Sequence, residues 1–142
     1  MLLSFYTSDA QTKNTYQVVS ESGYIPFAYW DENNTPTGFD IEILKAIAKV
    51  ENLSFEYKTI PWKVMFDTLD NGTSDIITSG ISITDERKSR FTFTDPYFQS
   101  DKTVLLGKNN VDIKNIEELK NLKVGVKEAS TSEKVIKSFR IQ

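Results

Sequence analysis

The stretch Asp75–Arg87 reads DIITSGISITDER, and its residue types change in an order that predicts a strand followed by a turn. Two consecutive isoleucines near its start predict a short buried strand over Asp75–Thr78. Gly80 has no Cβ, so the backbone at this position can approach a ligand closely. Thr84 is placed to cap a short helical turn whose first residues are acidic.

The polar side chains of this stretch have two interpretations. Ser79 and Ser82 carry hydroxyls that both donate and accept hydrogen bonds. Arg87 carries a planar guanidinium that suits bidentate binding of a carboxylate. The alternative is a strand end, a turn and a surface arginine that pairs with Asp85 or Glu86. This stretch alone favours the alternative, and the rest of the chain reverses that preference.

Composition excludes several classes of function. The chain has 142 residues, enough for one domain with a core, and its net charge of −3 argues against a nucleic-acid partner. It contains no cysteine and no histidine, which excludes a disulfide framework, a cysteine metal site and a Ser-His-Asp hydrolase. The commonest general base and the commonest metal ligand are thus missing. We expect no metal, no cofactor and no catalytic residues.

The sequence contains no apolar run of membrane-spanning length. The N-terminal residues 1–6 are too short for a signal-peptide core and lack a basic start. Composition leaves two alternatives: a cytoplasmic protein, or one whose targeting segment has been removed from this chain.

Strand and helix patterns alternate along the chain. Predicted strands lie at Tyr16–Ser20, around Phe55–Thr59 and at Asp75–Thr78, with a hairpin tip at Asp31–Pro36. Predicted helices run from Ile41 to about Glu51, capped by Asp40, and from Trp62 through Leu69, between Pro61 and Asn71-Gly72. This alternation predicts an α/β fold with a mostly parallel sheet flanked by helices.

The C-terminal part repeats one helix-start pattern twice. Asn115–Glu118 and Ser130–Glu133 both have capping-box spacing. Val124–Val126 between them predicts a short buried strand. The start of the second helix would offer free backbone N–H groups and a positive dipole end to an anion.

Several landmarks in one order carry a resemblance to a known family. They are Tyr24–Phe27, Gly38–Ile41, Pro61-Trp62, Asp75–Ile77, Ser82–Lys88, Phe93–Tyr97 and Val124–Val126. Together they resemble the family-3 extracellular solute-binding proteins that serve ABC importers of polar amino acids. The resemblance covers nearly everything from Tyr16 to the end of the chain.

The resemblance implies a fold of two α/β lobes with the ligand in the cleft between them. Residues 1–15 are then a loose arm, residues 16–99 the first lobe, and residues 100–142 the hinge and the truncated beginning of the second lobe. The hinge is expected near Gln99–Lys102, with a strand at Val104–Leu106 beyond it.

The resemblance also implies roles for individual residues. Arg87 matches the arginine that grips the ligand α-carboxylate, and Ser79-Gly80 and Ser82 match groups that complete the first-lobe site. Tyr24 and Trp62 match the aromatic pair that flanks the ligand side chain. Glu21 matches a position that is acidic in several basic-amino-acid binders and also in some cystine-type binders, and with two aromatic faces nearby it would favour a cationic ligand side chain. Ser130 and Thr131 match second-lobe groups that close on the carboxylate. The alternatives are a solvated acid at Glu21 and a buried core residue at Trp62. Ala129 stands where a glycine is frequent.

The implied function is an extracytoplasmic, periplasmic or membrane-tethered receptor that captures an arginine- or lysine-like amino acid and delivers it to ABC importer membrane subunits. It is not an enzyme. Two alternatives of the same fold are a ligand-sensing receptor domain and a dehydratase-type enzyme. Because the second lobe is incomplete, we expect this chain to bind ligand weakly or not at all. We also expect a homo-oligomer, with residues 103–142 exchanged between copies.

Overall fold

A computed structural model of the chain describes residues 15–100, 107–108 and 113–139. The described residues up to Gly80 form one compact unit, and those from Ile81 form a second. The predicted arm lies outside the described residues except for Thr15, which belongs to the first strand. The predicted strand at Val104–Leu106 and part of the predicted hinge also lie outside them. The lobe boundary near residue 99 stays a prediction.

A parallel sheet of three strands forms the centre of the first unit. The strands are β1 at Thr15–Ser20, β5 at Ser54–Thr59 and β6 at Ile76–Ile77, in the order β5-β1-β6. Val18 of β1 pairs with Tyr57 on one side and with Ile76 on the other. The predicted α/β class with a parallel sheet is therefore confirmed.

A second, antiparallel sheet is built on the hairpin. Its strands are β2 at Gly23–Tyr24, β3 at Ala28–Trp30 and β4 at Pro36–Thr37. The carboxylate of Asp31 accepts bonds from two backbone N–H groups of the turn, and Asn34 takes the left-handed conformation with φ 58°. Asp and Asn are suited to such turns, which is why the predicted hairpin tip is confirmed.

Two helices pack on the parallel sheet, α1 at Phe39–Glu51 and α2 at Trp62–Asp70. Ile41 and Met65 are fully buried together with Val18 and Val19 of β1. Asn52 ends α1 in the left-handed conformation, as its small polar side chain allows. Pro61 and Asn71 flank α2 as predicted.

The predicted cap of α1 was wrong. The helix begins two residues earlier than predicted, with Gly38 as its N-cap, and Asp40 lies inside the first turn. The first helical N–H groups, of Phe39 and Asp40, donate instead to the carbonyls of Pro26 and Phe27, at 2.9 Å each. The helix start is therefore capped by distant backbone, and the carboxylate of Asp40 is left for another role.

The second unit contains a short helix α3 at Asp85–Lys88, a 3₁₀ helix at Ile116–Asn121 and α4 at Thr131–Ser138. Its small core consists of Leu119 and Ile136, with Ile113, Ile116 and Val124 packed around them. The predicted short buried strand over Val124–Val126 was wrong, since these residues are not in a strand and Val126 is 39% exposed. A strand needs a neighbour to pair with, and the described part of this unit contains none.

Candidate functional site

The three parallel strands end at one edge of the sheet, and predicted site residues follow each of them. Glu21 comes directly after β1, Ser79 follows β6, and Trp62 opens α2 after β5. The N–H groups of Ile60 and Thr78 donate to carbonyls of β1, each at 3.0 Å, so the ladder continues to this edge. The carboxyl ends of parallel strands are where open α/β sheets bind ligands. The fold thus gathers three predicted site residues at the expected edge.

Gly80 lies against the ring of Tyr24. Its φ is +56°, and a Cβ built on it would lie 2.3 Å from Cε1 of Tyr24. A side chain at this position would collide with the ring, so the close neighbour that requires glycine here is Tyr24. The approach of a ligand to this backbone stays a prediction. Tyr24 is 41% exposed and stacks on Phe27, with 5.3 Å between ring centroids. Tyr24 is therefore partly exposed beside Gly80.

Ser79 and Trp62 are buried at this edge. Ser79 is 2% exposed, and its Oγ has no hydrogen-bond partner among the described residues. Trp62 is 9% exposed and packs edge-on against Phe66, with 5.5 Å between ring centroids. Trp62 therefore belongs largely to the core. An unpaired buried hydroxyl is costly, which makes Ser79 a candidate donor or acceptor for a bound group.

Asp40 is a positioning residue that the sequence patterns did not indicate. Its carboxylate is 1% exposed, and Oδ2 accepts hydrogen bonds from Oγ1 of Thr78 at 2.9 Å and from the N–H of Gly80 at 2.7 Å. Asp40 thereby fixes the turn that carries Ser79 and Gly80. Its sequence neighbour Phe39 is exposed, and a buried acid beside an exposed aromatic would not be expected from periodicity.

Gly38 explains why the carboxylate of Asp40 reaches that turn. Its φ is +109°, and a Cβ on it would lie 2.4 Å from the carbonyl oxygen of Phe27. Only glycine allows the start of α1 to approach the backbone of Pro26 and Phe27 so closely. The residues of the Gly-Phe-Asp landmark thus act together: Gly38 admits the helix start, and Asp40 holds the turn at Ser79-Gly80.

In the second unit, Arg87 is oriented from within its own turn. Thr84 caps α3 as predicted, since its Oγ1 accepts a bond from the N–H of Arg87 at 3.3 Å. Nη1 of Arg87 donates to the backbone carbonyl of Ser82 at 2.9 Å. Burial lowers the pKa of the half-buried guanidinium and Glu86 opposes that effect, yet an arginine stays charged at physiological pH.

Ser82 accepts the bond from Arg87 at its backbone carbonyl, and Ser82 is exposed. Glu86, which the alternative interpretation offered as a partner of Arg87, accepts a bond at its carboxylate from Lys134 of α4. The sequence predicted a turn capped by Thr84 that carries Arg87. It did not predict which backbone carbonyl would orient the guanidinium.

The predicted capping box at the start of α4 is confirmed. Ser130 Oγ accepts a bond from the N–H of Glu133 at 3.1 Å, and Glu133 Oε2 accepts one from the N–H of Ala129 at 2.6 Å. The hydrogen bond that Glu133 accepts from Lys137 is the largest reason that the pKa of its carboxyl is lowered, and the bond from the N–H of Ala129 is the second. The hydroxyl of Ser130 is used within the chain as a cap, and Thr131 is half-buried beside it.

Ala129 takes the left-handed conformation, with φ 58°. This conformation costs a residue with a Cβ about 1–2 kcal/mol, and glycine costs about 0.4–1 kcal/mol in the unfolded chain. We therefore expect Ala129→Gly to stabilise the second unit by about 0.5–1 kcal/mol, measured by hydrogen exchange of the α4 amides. Ala46→Gly in the exposed face of α1 is the control, and should destabilise the first unit by about 1 kcal/mol. The α4 amides should exchange more slowly in Ala129→Gly than in the wild type. Equal or faster exchange would contradict the strain at Ala129.

Among the described residues, no group of three or more acidic side chains is arranged to hold a metal ion. Within the same residues, no helix has the length and apolar character of a membrane span.

Comparison with known proteins identifies the family. The sequence profile of the bacterial extracellular solute-binding proteins, family 3, matches residues 16–139. The chain belongs to this family. One curated relative, the probable histidine-binding protein of Neisseria gonorrhoeae, is 38% identical over 118 residues, which are 82% of this chain and 44% of that protein. The probable amino-acid ABC transporter-binding protein of Haemophilus influenzae (strain ATCC 51907 / DSM 11121 / KW20 / Rd) is 31% identical over 77% of this chain and 42% of its own length.

A solved family structure has the same fold. An ancestral arginine-binding protein bound to arginine matches with a TM-score of 0.80 and 39% sequence identity, over 88% of this chain and 55% of that one. The chain thus spans about half the length of the proteins it matches. The family resemblance drawn from the sequence landmarks is confirmed.

Proposed function

We propose that this chain is the ligand-capturing part of an extracytoplasmic amino-acid receptor that feeds an ABC importer. The observation that carries the proposal is Arg87, a half-buried guanidinium held by a capped turn and by the carbonyl of Ser82. Such a fork suits the planar α-carboxylate that all amino acids share. Family membership and the names of the relatives support an amino acid as the ligand.

The first-unit residues are proposed to contact the rest of the ligand. Tyr24 offers a partly exposed ring, and Ser79 offers an unpaired buried hydroxyl next to Gly80, whose backbone lies against that ring. Trp62 contributes the edge of its ring. From the second unit, we propose that Ser82 completes this set and that Ser130 and Thr131 approach the carboxylate.

Glu21 is proposed to select a cationic side chain. It is half-buried at the end of β1, close in sequence to the exposed ring of Tyr24. A carboxylate and aromatic faces together attract a cation by ion pairing and cation–π attraction. Two relatives are named for amino acids whose side chains can carry a positive charge, as a probable histidine-binding protein and as an ancestral arginine-binding protein.

Glu21→Gln should weaken L-arginine binding by about 1 kcal/mol and leave L-glutamine binding nearly unchanged, because only the cationic ligand loses an opposite charge. Calorimetric titration of the full-length protein with both ligands measures the difference. Glu32→Gln in the exposed hairpin turn is the matched control and should affect neither ligand. Equal losses for both ligands would assign Glu21 to structure and not to selectivity.

Calorimetry of the full-length protein against the common amino acids tests the proposed function as a whole. We expect one L-α-amino acid with a polar or cationic side chain to bind. Binding of a sugar or a metal ion with no amino acid bound would overturn the proposal.

A receptor fits the residues better than an enzyme does. A dehydratase needs a positioned acid or base, and the sequence has no histidine. Glu21 is the one carboxylate among the residues proposed to contact the ligand. A sensory receptor domain would share the same binding chemistry, and the gene for the complete protein distinguishes it from a transport receptor.

The isolated 142-residue chain is proposed to self-associate and to bind amino acids weakly. Strand β6 pairs with β1 on one side only within the described residues, and Val50 on α1 is 79% exposed. Unpaired strand edges and exposed apolar surface favour pairing with another chain. Light scattering should report a dimer or larger species, with residues 103–142 as the proposed exchanged segment. A stable monomer that binds arginine at low micromolar concentration would contradict this.

A further inference from the structure

One ion pair of the second unit joins residues that are far apart in sequence. Nζ of Lys134 donates to Oε2 of Glu86, across 48 positions of the chain. Three other pairs, Lys45–Glu42, Lys120–Glu117 and Lys137–Glu133, each join residues three or four positions apart. Pairs of that kind support a single helix. The Glu86–Lys134 pair instead connects two segments, α3 and α4.

The two segments are those that carry the proposed anion-binding groups of this unit. Glu86 directly precedes Arg87 in α3, and Lys134 lies one turn after the Ser130 cap of α4. Because each partner is fixed in a short helix, the pair restricts where the guanidinium can lie relative to the start of α4.

The pair also alters the charge around Arg87. An unpaired carboxylate at Glu86 would repel the carboxylate of a ligand, since like charges in one site disfavour each other. Lys134 neutralises that charge, and its hydrogen bond is the largest reason that the pKa of Glu86 is lowered. Arg87 and Arg90 lower the pKa of Glu86 further.

We propose that Glu86 and Lys134 form a positioning pair for the ligand carboxylate. The pair ties the turn that bears Arg87 to the first turn of α4, and it directs the charge of Glu86 towards Lys134. This inference rests on the proposed function, and it assigns a role to two side chains that do not touch the ligand.

The first test needs no ligand. In the 142-residue chain, ¹³C-carboxyl NMR titration should give Glu86 a lower pKa in the wild type than in Lys134→Gln. Lys120→Gln removes the same charge from the same unit, and its own ion pair lies within the 3₁₀ helix. That control should leave the pKa of Glu86 close to the wild-type value. Equal pKa values in the wild type and in Lys134→Gln would show that the pair does not form.

The second test asks whether the pair positions the turn. Amide exchange of Arg87 and Lys88, whose N–H groups both bond to Thr84, should become about two- to five-fold faster in Lys134→Gln, the range for an exposed ion pair. Glu86→Gln should have the same effect, and the double variant should add little to either change. A pKa difference without a change in exchange would show a pair that forms and positions nothing, and would overturn the proposal.

A third measurement separates this proposal from the proposed function. L-Arginine titration, followed at the side-chain Nε–H of Arg87, should give an affinity about two- to five-fold weaker in Lys134→Gln than in the wild type. Equal affinities would overturn the positioning role. If the wild-type chain binds no arginine, the titration and exchange results still decide whether the pair holds the turn, and calorimetry of the full-length protein decides the proposed function.

Discussion

Replacing Arg87 by alanine is expected to weaken amino-acid binding by about 3–5 kcal/mol, because the ligand carboxylate would stay in the site without its charged partner. Ser82→Ala should cost about 1 kcal/mol or less, the value of one neutral hydrogen bond. The reason is that Ser82 orients Arg87 through its backbone carbonyl, which alanine retains. Calorimetry of the full-length protein with its amino acid measures both losses.

The matched control for Arg87 is Arg90, which is exposed and lies over the ring of Phe91 at 4.8 Å from its centroid. Arg90→Ala removes the same charge three positions away and should leave the affinity within about threefold of the wild type, as distant surface charges contribute little. Equal losses from Arg87→Ala and Ser82→Ala, or from Arg87→Ala and Arg90→Ala, would show that Arg87 does not grip the ligand.

Replacing Asp40 by alanine is expected to lower the free energy of unfolding of the first unit by about 3 kcal/mol. The change leaves the Thr78 hydroxyl and the Gly80 N–H without their acceptor, and unsatisfied buried donors cost about 1–3 kcal/mol each. It also releases the turn that holds Ser79, so ligand binding should fall with stability. Urea unfolding followed by tryptophan fluorescence measures the loss.

Two further variants make the Asp40 result specific. Asp40→Asn keeps an oxygen acceptor in the same place and should cost clearly less than the alanine change. Asp67→Ala on the exposed side of α2 removes the same charge and should change stability by less than about 0.5 kcal/mol, as surface substitutions do. If Asp40→Ala unfolds at the same urea concentration as Asp67→Ala, the carboxylate does not hold the turn.

The elements that the sequence predicted correctly are those set by local rules. The apolar positions of α2, between Pro61 and Asn71, repeat at helical spacing, and the Asp31–Pro36 turn has the residue types of a hairpin tip. Each of these signals lies within a few residues of the structure that it determines. For that reason these signals can be recognised without knowledge of the rest of the fold.

The errors arose where a distant partner decided the outcome. Asp40 fits a helix cap by residue type, yet its partners Thr78 and Gly80 lie about forty positions later. Val124–Val126 has strand composition, but composition does not supply a neighbouring strand. The same limit applies to the site. The residue type of Arg87 indicated a group that can bind a carboxylate, whereas its bond to the carbonyl of Ser82 depends on the path of the backbone.

The most direct test of the central claim compares L-arginine with agmatine, its analogue that lacks the α-carboxylate, by calorimetry of the full-length protein and of its Arg87→Ala variant. If Arg87 grips the carboxylate, the wild type should bind L-arginine at least about a hundredfold more tightly than agmatine, the range for a buried charged pair. Arg87→Ala should remove most of that difference. Equal binding of the two ligands by the wild type, or an unchanged preference in Arg87→Ala, would contradict the account.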